Sequence, residues 1–220
     1  MRYRTVVACL MLCISVSASG CVTEDNDTND TNDTDDTDDN EAHKMADLSN
    51  KTILMVIAPS DFRDEELFVP KDFFEKNGAE VVIASDKKGT AKGMLGGTAS
   101  VDLSVSDADI RDYDAVIFVG GSGVELHKLY ENATYLKLAT DASSSEKIIG
   151  AICLGPMVPA AAGILSGKNA TVFESGISHI TGKGAKYTGA GVTRDGRIVT
   201  GEGPHVAEEF ARMVAEALGD

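Results

Sequence analysis

The chain has 220 residues, enough for one domain with a full hydrophobic core even after an N-terminal segment of about 45 residues is set aside. Its formal net charge is −15, from 20 basic and 35 acidic residues. Because phosphates need Lys and Arg partners, this charge argues against nucleic-acid binding and suits a surface-exposed protein.

Residues 1–20 have the pattern of an export signal. Arg2 and Arg4 give a positive start, and residues 5–16 are apolar. The small residues at 18–20 run into Cys21, and this Ala-Ser-Gly-Cys sequence resembles a lipoprotein cleavage box. We therefore expect a lipid on Cys21 and a protein exported to, and anchored at, the outer face of the cytoplasmic membrane. The alternatives are an ordinary secretory signal or an uncleaved anchor.

Residues 21–46 form an acidic Asn/Asp/Thr-rich segment that we predict to be a disordered tether. Between Glu24 and Glu41 there are ten acidic residues and no basic one. Large apolar residues are almost absent, so the segment cannot bury enough surface to offset the entropy of ordering. The folded domain is accordingly predicted to span residues 47–220.

Within the domain, apolar runs alternate with helix-forming segments. Strands are predicted at residues 53–58, 81–84, 115–119, 148–152 and 168–173, with an edge strand or hairpin at 98–105 and a hairpin at 192–200. Helices are predicted at residues 64–74, 126–130, 135–143 and 157–164 and from Pro204 to the end. Residues 87–97, rich in Gly and Lys, are predicted to be loop, and residues 176–191 stay unassigned. This alternation predicts an α/β fold, an open and mostly parallel sheet with helices on both faces.

The run Ile-Ile-Gly-Ala-Ile-Cys-Leu-Gly-Pro at residues 148–156 predicts a nucleophile elbow at Cys153. A strand that turns sharply into a helix holds one side chain at the carboxyl edge of the sheet, and the small residues Ala151 and Gly155 relieve the crowding there. The amino end of the next helix would favour the thiolate. The alternative is that Cys153 is a small buried hydrophobic residue.

Two further loops should share this edge, because ligands of open α/β sheets bind beyond the carboxyl ends of the strands. One leads into Asp-Glu-Glu-Leu-Phe-Val-Pro at residues 64–70, and the other is Gly-Gly-Ser-Gly at residues 120–123. With the elbow, in this order and spacing, they resemble the DJ-1/ThiJ/PfpI superfamily. Its fold is flavodoxin-like and related to the class I glutamine amidotransferases. The resemblance covers residues 51–218.

The resemblance implies a role for each matched side chain. Cys153 matches the elbow nucleophile, and Glu66 matches the acidic residue that hydrogen-bonds the thiol. A carboxyl group that shares a small pocket with a thiol should be partly protonated and able to shuttle a proton. The neighbouring Asp64 and Glu65 are expected to be solvated acids of the first helical turn.

The backbone of the loops has an implied role as well. The amides of Gly120 and Gly121, together with the amide of Leu154, would form an oxyanion site. Superfamily members that resemble proteases carry His directly after the nucleophile. Leu154 occupies that position here and cannot act as an acid or a base, which disfavours a peptidase or amidase.

Three histidines remain as candidates for the pocket. His205 follows Gly203 and Pro204 at a helix start, and His179 lies in the Gly-rich stretch; either could line the pocket, although a surface position is favoured for each. His127 is expected on a surface helix. The sequence has no metal-ligand spacing and no phosphate loop, so no metal or cofactor is predicted.

The resemblance implies Cys-Glu chemistry on a small carbonyl or acyl substrate. Conversion of methylglyoxal to lactate, deglycation or a related hydro-lyase or hydrolase reaction would fit this pair. The first alternative is a non-catalytic redox or stress sensor that uses Cys153, and the second is a cysteine peptidase or amidase. The superfamily also implies a homodimer, although no stretch of this sequence identifies an interface.

Overall fold

The computed structural model describes residues 47–220, so the predicted signal, the tether and Cys21 lie outside the described residues. The strands are β1 (Thr52–Val56), β2 (Ser60–Phe62), β3 (Glu80–Ser85), β4 (Gly89–Gly93), β5 (Thr98–Val101), β6 (Leu103–Ser104), β7 (Ala115–Phe118), β8 (Ile148–Ile152), β9 (Asn169–Ala170), β10 (Lys186–Tyr187), β11 (Val192–Asp195) and β12 (Ile198–Gly201). The α-helices are α1 (Asp64–Lys76), α2 (Gly123–Leu126), α3 (Ala133–Ser144), α4 (Met157–Ala161), α5 (Ile177–Gly182) and α6 (Ala207–Gly219).

Seven strands form the central sheet in the order β11-β12-β8-β7-β1-β3-β6. All neighbouring pairs are parallel except β11 and β12, which form the predicted hairpin. The predicted flavodoxin-like α/β fold is therefore confirmed. Because β8, β7 and β1 are neighbours, the loops that follow them meet at one edge of the sheet, beyond Ile152, Phe118 and Val56.

Helices cover both faces of this sheet. Every residue of β8 is buried, as expected of a parallel strand enclosed on both sides. On one face α6 packs against β8 and β12, with the Phe210 ring close to Gly150, and α1 packs against α6. The other layer is formed by α3, which packs against β7 and β8, together with α4. Within residues 47–220, no helix combines the length and the apolar character needed to cross a bilayer.

A second, smaller sheet corrects the prediction of a loop at residues 87–97. The order of its strands is β2-β4-β5, and β4 and β5 pair antiparallel as a hairpin. Its tip is held from a distance, because the Asp64 carboxylate accepts hydrogen bonds from the amides of Leu95 (2.8 Å) and Gly97 (2.7 Å). A segment composed of Gly, Lys and Thr predicts a loop, because such a long-range anchor is not visible in the sequence.

The region left unassigned at residues 176–191 contains α5 and the short strand β10. β10 pairs with β9, and the two strands enclose a small separate apolar cluster that includes Leu165, Ala170 and Ile180. Residues 171–173, which follow β9, run beside the elbow at Cys153.

Replacing Gly155 by Ala should destabilise the domain. The added Cβ would lie 2.1 Å from the carbonyl oxygen of Phe118, a backbone atom of β7 that cannot give way. Overpacking of this kind costs about 1–3 kcal/mol of unfolding free energy, which urea denaturation followed by circular dichroism would measure. The matched control is Gly182→Ala, whose new Cβ meets no atom within 4 Å and which should be no less stable than the wild type. Equal stability of the two variants would contradict this account of the elbow.

Candidate active site

Cys153 stands in a backbone conformation that side chains rarely adopt. Its φ angle is +59°, in the left-handed region, which costs about 1–3 kcal/mol for a residue other than Gly. Hydrogen bonds on both sides hold it there: its N–H donates to Gly201 O (2.9 Å), and its carbonyl accepts from Phe173 N–H (3.0 Å). The sulfur therefore stands where β8 ends, and the residue is 7% exposed.

Glu66 reaches the same point from α1. Its side chain is fully buried (0% exposed), and its Oε2 accepts a hydrogen bond from Gly120 N–H at 3.1 Å. The start of α1 is tied to the same loop, because Arg63 N–H donates to Gly120 O (3.1 Å). The carboxyl group is close enough to Cys153 for each to alter the pKa of the other, but Glu66 Oε1 has no well-aligned hydrogen-bond partner.

Gly120 lies between the side chains of Cys153 and Glu66, where there is no room for a side chain of its own. A Cβ at this position would lie 2.5 Å from Cys153 Cβ and 2.6 Å from Glu66 Oε2. Such contacts are far below any real Cβ distance, so only Gly can occupy the position. The approach of thiol and carboxyl thus depends on the missing side chain of this residue.

Burial sets the protonation of the pair. It raises the pKa of Glu66 to about 8, although the Cys153 thiol and the Arg63 charge oppose the shift. Burial, followed by the charge of Glu66, raises the pKa of Cys153 to about 12. The sequence led us to expect a thiolate favoured by the next helix, but α4 has only five residues and burial dominates. At neutral pH the pair therefore holds both protons, and the first is lost near pH 8.

Two backbone amides oppose the burial of the sulfur. The N–H groups of Gly121 and Leu154 interact with the thiol and lower its pKa, so they are placed to stabilise negative charge at this point. Gly120 was predicted to contribute a third amide. Its N–H is instead directed to the Glu66 carboxyl, which it positions.

Comparisons with known proteins show the family to which the domain belongs. The profile of the DJ-1/PfpI family matches residues 51–217, which is nearly all of the described domain. The chain belongs to the DJ-1/PfpI family. It is 36% identical over 214 residues to an uncharacterized protein of Methanocaldococcus jannaschii, and the match covers 96% of each chain.

Two other relatives carry names that state an activity. A deglycase of Pyrococcus abyssi is 30% identical over 151 residues, covering 69% of this chain and 90% of the relative. The glutathione-independent glyoxalase DJR-1.2 of Caenorhabditis elegans is 30% identical over 170 residues, covering 77% and 90%. Among solved structures, a ThiJ/PfpI domain protein of Brachyspira murdochii superposes with a TM-score of 0.75 at 34% identity, over 78% of this chain and 98% of that one.

The two histidines considered for the pocket of this DJ-1/PfpI domain do not hydrogen-bond to Cys153 or Glu66. The His205 side chain is 65% exposed, and its Nε2 lies 3.6 Å from Glu202 Oε2. His179 packs edge-on against Tyr130, with ring centroids 4.8 Å apart, and burial lowers its pKa. The described residues thus form a Cys-Glu site without a directly bonded imidazole.

His127 has a partner that the sequence did not suggest. Ser60 Oγ lies 2.9 Å from His127 Nε2 and donates its proton to Asp61 Oδ2 at 2.7 Å. Because the only hydroxyl proton is given to Asp61, Nε2 must be the donor to Ser60. In a serine hydrolase His accepts the proton of Ser, so this Ser-His-Asp group is not a catalytic triad. It joins the loop before α1 to the end of α2.

Two first-turn acids also differ from expectation. Asp64, predicted to be solvated, is buried and holds the hairpin tip through its two amide hydrogen bonds. Glu65 is partly exposed and forms a two-point ion pair with Arg63, at 2.7 and 3.1 Å. For the ion pair of Glu65, the signal available in the sequence was an Arg two residues before the acid. Nothing local marked the hydrogen bonds of Asp64, because its partners lie about thirty residues away in the chain.

The stability of the domain should fall as pH rises from about 5 to 8. In this window an unfolded Glu66 is ionised, whereas the folded carboxyl keeps its proton, so the unfolded state binds fewer protons. The loss approaches about 5 kcal/mol at most, from the difference between the two pKa values. Glu66→Gln cannot ionise, so the difference in unfolding free energy between variant and wild type should grow in favour of the variant across this range. A difference that stays constant with pH would show that Glu66 is not buried as a neutral acid.

Ser60 should not react as a nucleophile. After treatment with a fluorophosphonate probe, mass analysis should find no label on Ser60, because its proton is directed to Asp61 and His127 cannot remove it. A serine hydrolase added to the same sample should be labelled and serves as the control for the probe. A phosphonylated Ser60 that disappears in His127→Ala would overturn this assignment.

Proposed function

We propose that the protein is a cysteine-dependent enzyme that acts on small 2-oxo aldehydes, with methylglyoxal as the model substrate and a 2-hydroxy acid as the product. One observation carries the proposal: a fully buried carboxyl with a pKa near 8 lies beside a thiol toward which two backbone amides are directed. A proton shuttle, a nucleophile and a site for an oxyanion are the groups that this chemistry requires.

In the first step the sulfur of Cys153 attacks the aldehyde carbon. The Glu66 carboxylate takes the thiol proton, an S–C bond forms, and the carbonyl π electrons move to oxygen. The amides of Gly121 and Leu154 stabilise the alkoxide, which then receives the proton from the Glu66 carboxylic acid. The product is a hemithioacetal, and the enzyme has neither gained nor lost a proton overall.

In the second step a hydrogen moves between the two carbons of the 2-oxo aldehyde. Glu66 removes the proton from the carbon that carries sulfur and returns it to the adjacent ketone carbon, while the hydroxyl proton on the first carbon passes to the ketone oxygen. The first carbon is oxidised to a thioester and the second is reduced to an alcohol, so no external oxidant or reductant is needed. Water then cleaves the thioester, releasing the 2-hydroxy acid and restoring the thiol.

The relatives support the same choice of substrate class. The relative named a glutathione-independent glyoxalase and the relative named a deglycase are each 30% identical to this chain. Both names describe chemistry at a carbonyl group or at its adducts, which the site of this chain can perform with its own side chains.

Two other functions need separate consideration. A redox sensor would require a thiolate that oxidants reach easily, whereas burial raises the pKa of Cys153 to about 12 and favours a reaction in which Glu66 removes the proton. A peptidase would require a general acid, usually an imidazolium, able to protonate the amine leaving group. Leu154 occupies the position after the nucleophile and is buried, so that role has no imidazole beside the sulfur.

We also propose that the enzyme works outside the cytoplasmic membrane, held there by a lipid on Cys21. The support is the export signal, the small residues before Cys21 and the acidic tether, all at the sequence level. Mass analysis of the mature amino terminus tests this location independently of activity: a diacylglyceryl-modified Cys21 is expected, and an unmodified Cys21 would exclude the anchor.

Lactate formation from methylglyoxal tests the enzyme directly. Cys153→Ala should abolish it, and Glu66→Gln should lower kcat/KM about 100-fold or more, because a positioned proton shuttle contributes about 10²–10⁴ in rate. The matched control is Glu65→Gln, which removes the neighbouring, partly exposed acid and should change kcat/KM by less than about threefold. The wild-type rate should rise with pH through about 8 as the pair loses its first proton.

The rate at which Cys153 is alkylated gives a second test of how Glu66 affects the thiol. Above pH 8 the charge of Glu66 raises the pKa of Cys153, so Glu66→Gln should be alkylated faster than the wild type even though it forms lactate more slowly. A wild-type protein that forms no lactate would contradict the proposed function, and slower alkylation of Glu66→Gln would show that the charge of Glu66 does not control the pKa of the thiol.

A further inference from the structure

An exposed aromatic ring stands on a segment that is fixed beside the reactive cysteine. Thr171 N–H donates to Thr200 Oγ1 (2.9 Å), and two residues later Phe173 N–H donates to Cys153 O (3.0 Å). One bond ties the segment to β12 and the other ties it to the elbow. The backbone that carries the Phe173 ring is therefore held in register with the sulfur.

The direction of the ring follows from its neighbour in the chain. Phe173 has polyproline-type backbone angles (φ −58°, ψ 147°), with about three residues per turn, so neighbouring side chains point in different directions. Val172 is fully buried, and its Cγ2 lies 2.7 Å from where a Cβ on Gly176 would stand. Phe173 points away from this core and is 44% exposed, and no other aromatic residue among residues 47–220 is exposed.

Contacts of the ring place it at the end of β12 next to the elbow. A Cβ on Gly203 would be 3.7 Å from Phe173 Cδ2 and 3.7 Å from His205 Nδ1, so the two rings flank this residue. Two residues earlier, Gly201 O accepts the N–H of Cys153. The ring and the sulfur are thus linked through both neighbouring pieces of backbone, the segment 171–173 and the end of β12.

The polar groups of the site come from other elements. Glu66 comes from α1 and the Gly121 amide from the loop after β7, whereas the Leu154 side chain is buried and turns toward Gly176. A carbonyl oxygen held by the amides would leave its substituent without a polar partner. The exposed ring offers an apolar surface on the segment that is hydrogen-bonded to the elbow, where burial of a substituent would be favourable.

We propose that Phe173 determines specificity by packing against the substituent of the carbonyl substrate. The site would then prefer 2-oxo aldehydes that carry an aryl or branched alkyl group over those that carry a methyl group. As a statement about turnover this rests on the proposed function, but the contact itself requires only a reactive thiol beside the ring.

The first experiment compares phenylglyoxal with methylglyoxal, using initial rates of 2-hydroxy acid formation. The wild type should have the higher kcat/KM for phenylglyoxal, and Phe173→Ala should reduce the ratio of the two values about three- to tenfold, the range of an aromatic contact. Leu95→Ala, which truncates another exposed apolar side chain at the hairpin tip, should leave the ratio unchanged. Phe173→Leu keeps an apolar side chain of similar size and serves if the Ala variant does not fold.

The second experiment needs no turnover. Cys153 is alkylated with chloroacetone or 2-chloroacetophenone, each forming an S–C bond with loss of chloride, and the rates are measured by mass spectrometry and divided by those of free cysteine. The preference for the phenyl reagent should fall about three- to tenfold in Phe173→Ala. If this preference changes while no glyoxal is converted, the specificity contact stands and the proposed function fails.

Three outcomes would overturn the inference. An unchanged alkylation ratio would show that the ring does not meet the substituent. An equal loss of rate with both reagents would indicate general damage to the site. An unchanged ratio combined with a change in molecular mass by light scattering would assign the ring to a contact between subunits.

Discussion

The left-handed backbone of Cys153 is the constraint on which the site depends. The strain of about 1–3 kcal/mol persists because the hydrogen bond that Cys153 donates to Gly201, the one that it accepts from Phe173 and the close passage of Gly155 past Phe118 hold the backbone in place. The position of the sulfur is therefore a property of the sheet and not of a flexible side chain. Each other group of the site, the carboxyl and the two amides, is positioned relative to this fixed point.

A buried thiol beside a buried acid also constrains charge. Burial and mutual repulsion oppose a thiolate and a carboxylate at the same time, so the pair shares one negative charge at most over the physiological range. Glu66 can then act both as base and as acid within one reaction. The same burial lowers the stability of the fold as pH rises from about 5 to 8, because the unfolded chain releases the proton that the folded chain retains in this range. The proton shuttle and the pH limit of stability have one cause.

Much of the fold could be predicted from periodicity, because parallel strands enclosed on both faces appear as continuous apolar runs such as Ile148–Ile152. The positions of Cys153 and Glu66 at one edge followed from motif order. β5 lies within residues 98–105, which were predicted as an edge strand or hairpin. β4 could not be predicted, since small residues such as Ala91 and Gly93 carry little strand signal and the anchor, Asp64, is distant in sequence. The direction of the Gly120 amide was equally hidden, because it depends on where a side chain of α1 ends.

The order of the strands determines which elements supply the polar groups of the site and which supply its apolar side. Reactive and polar groups come from β8, β7 and the start of α1, which the parallel sheet brings together directly. The apolar side comes from the segment after β9 and from the end of β12, which approach the elbow through main-chain hydrogen bonds. Because backbone groups make these bonds, the side chain at position 173 can vary without moving the sulfur. The fold thereby allows substrate specificity to change separately from the chemistry of Cys153 and Glu66, and in this chain the residue at position 173 is Phe.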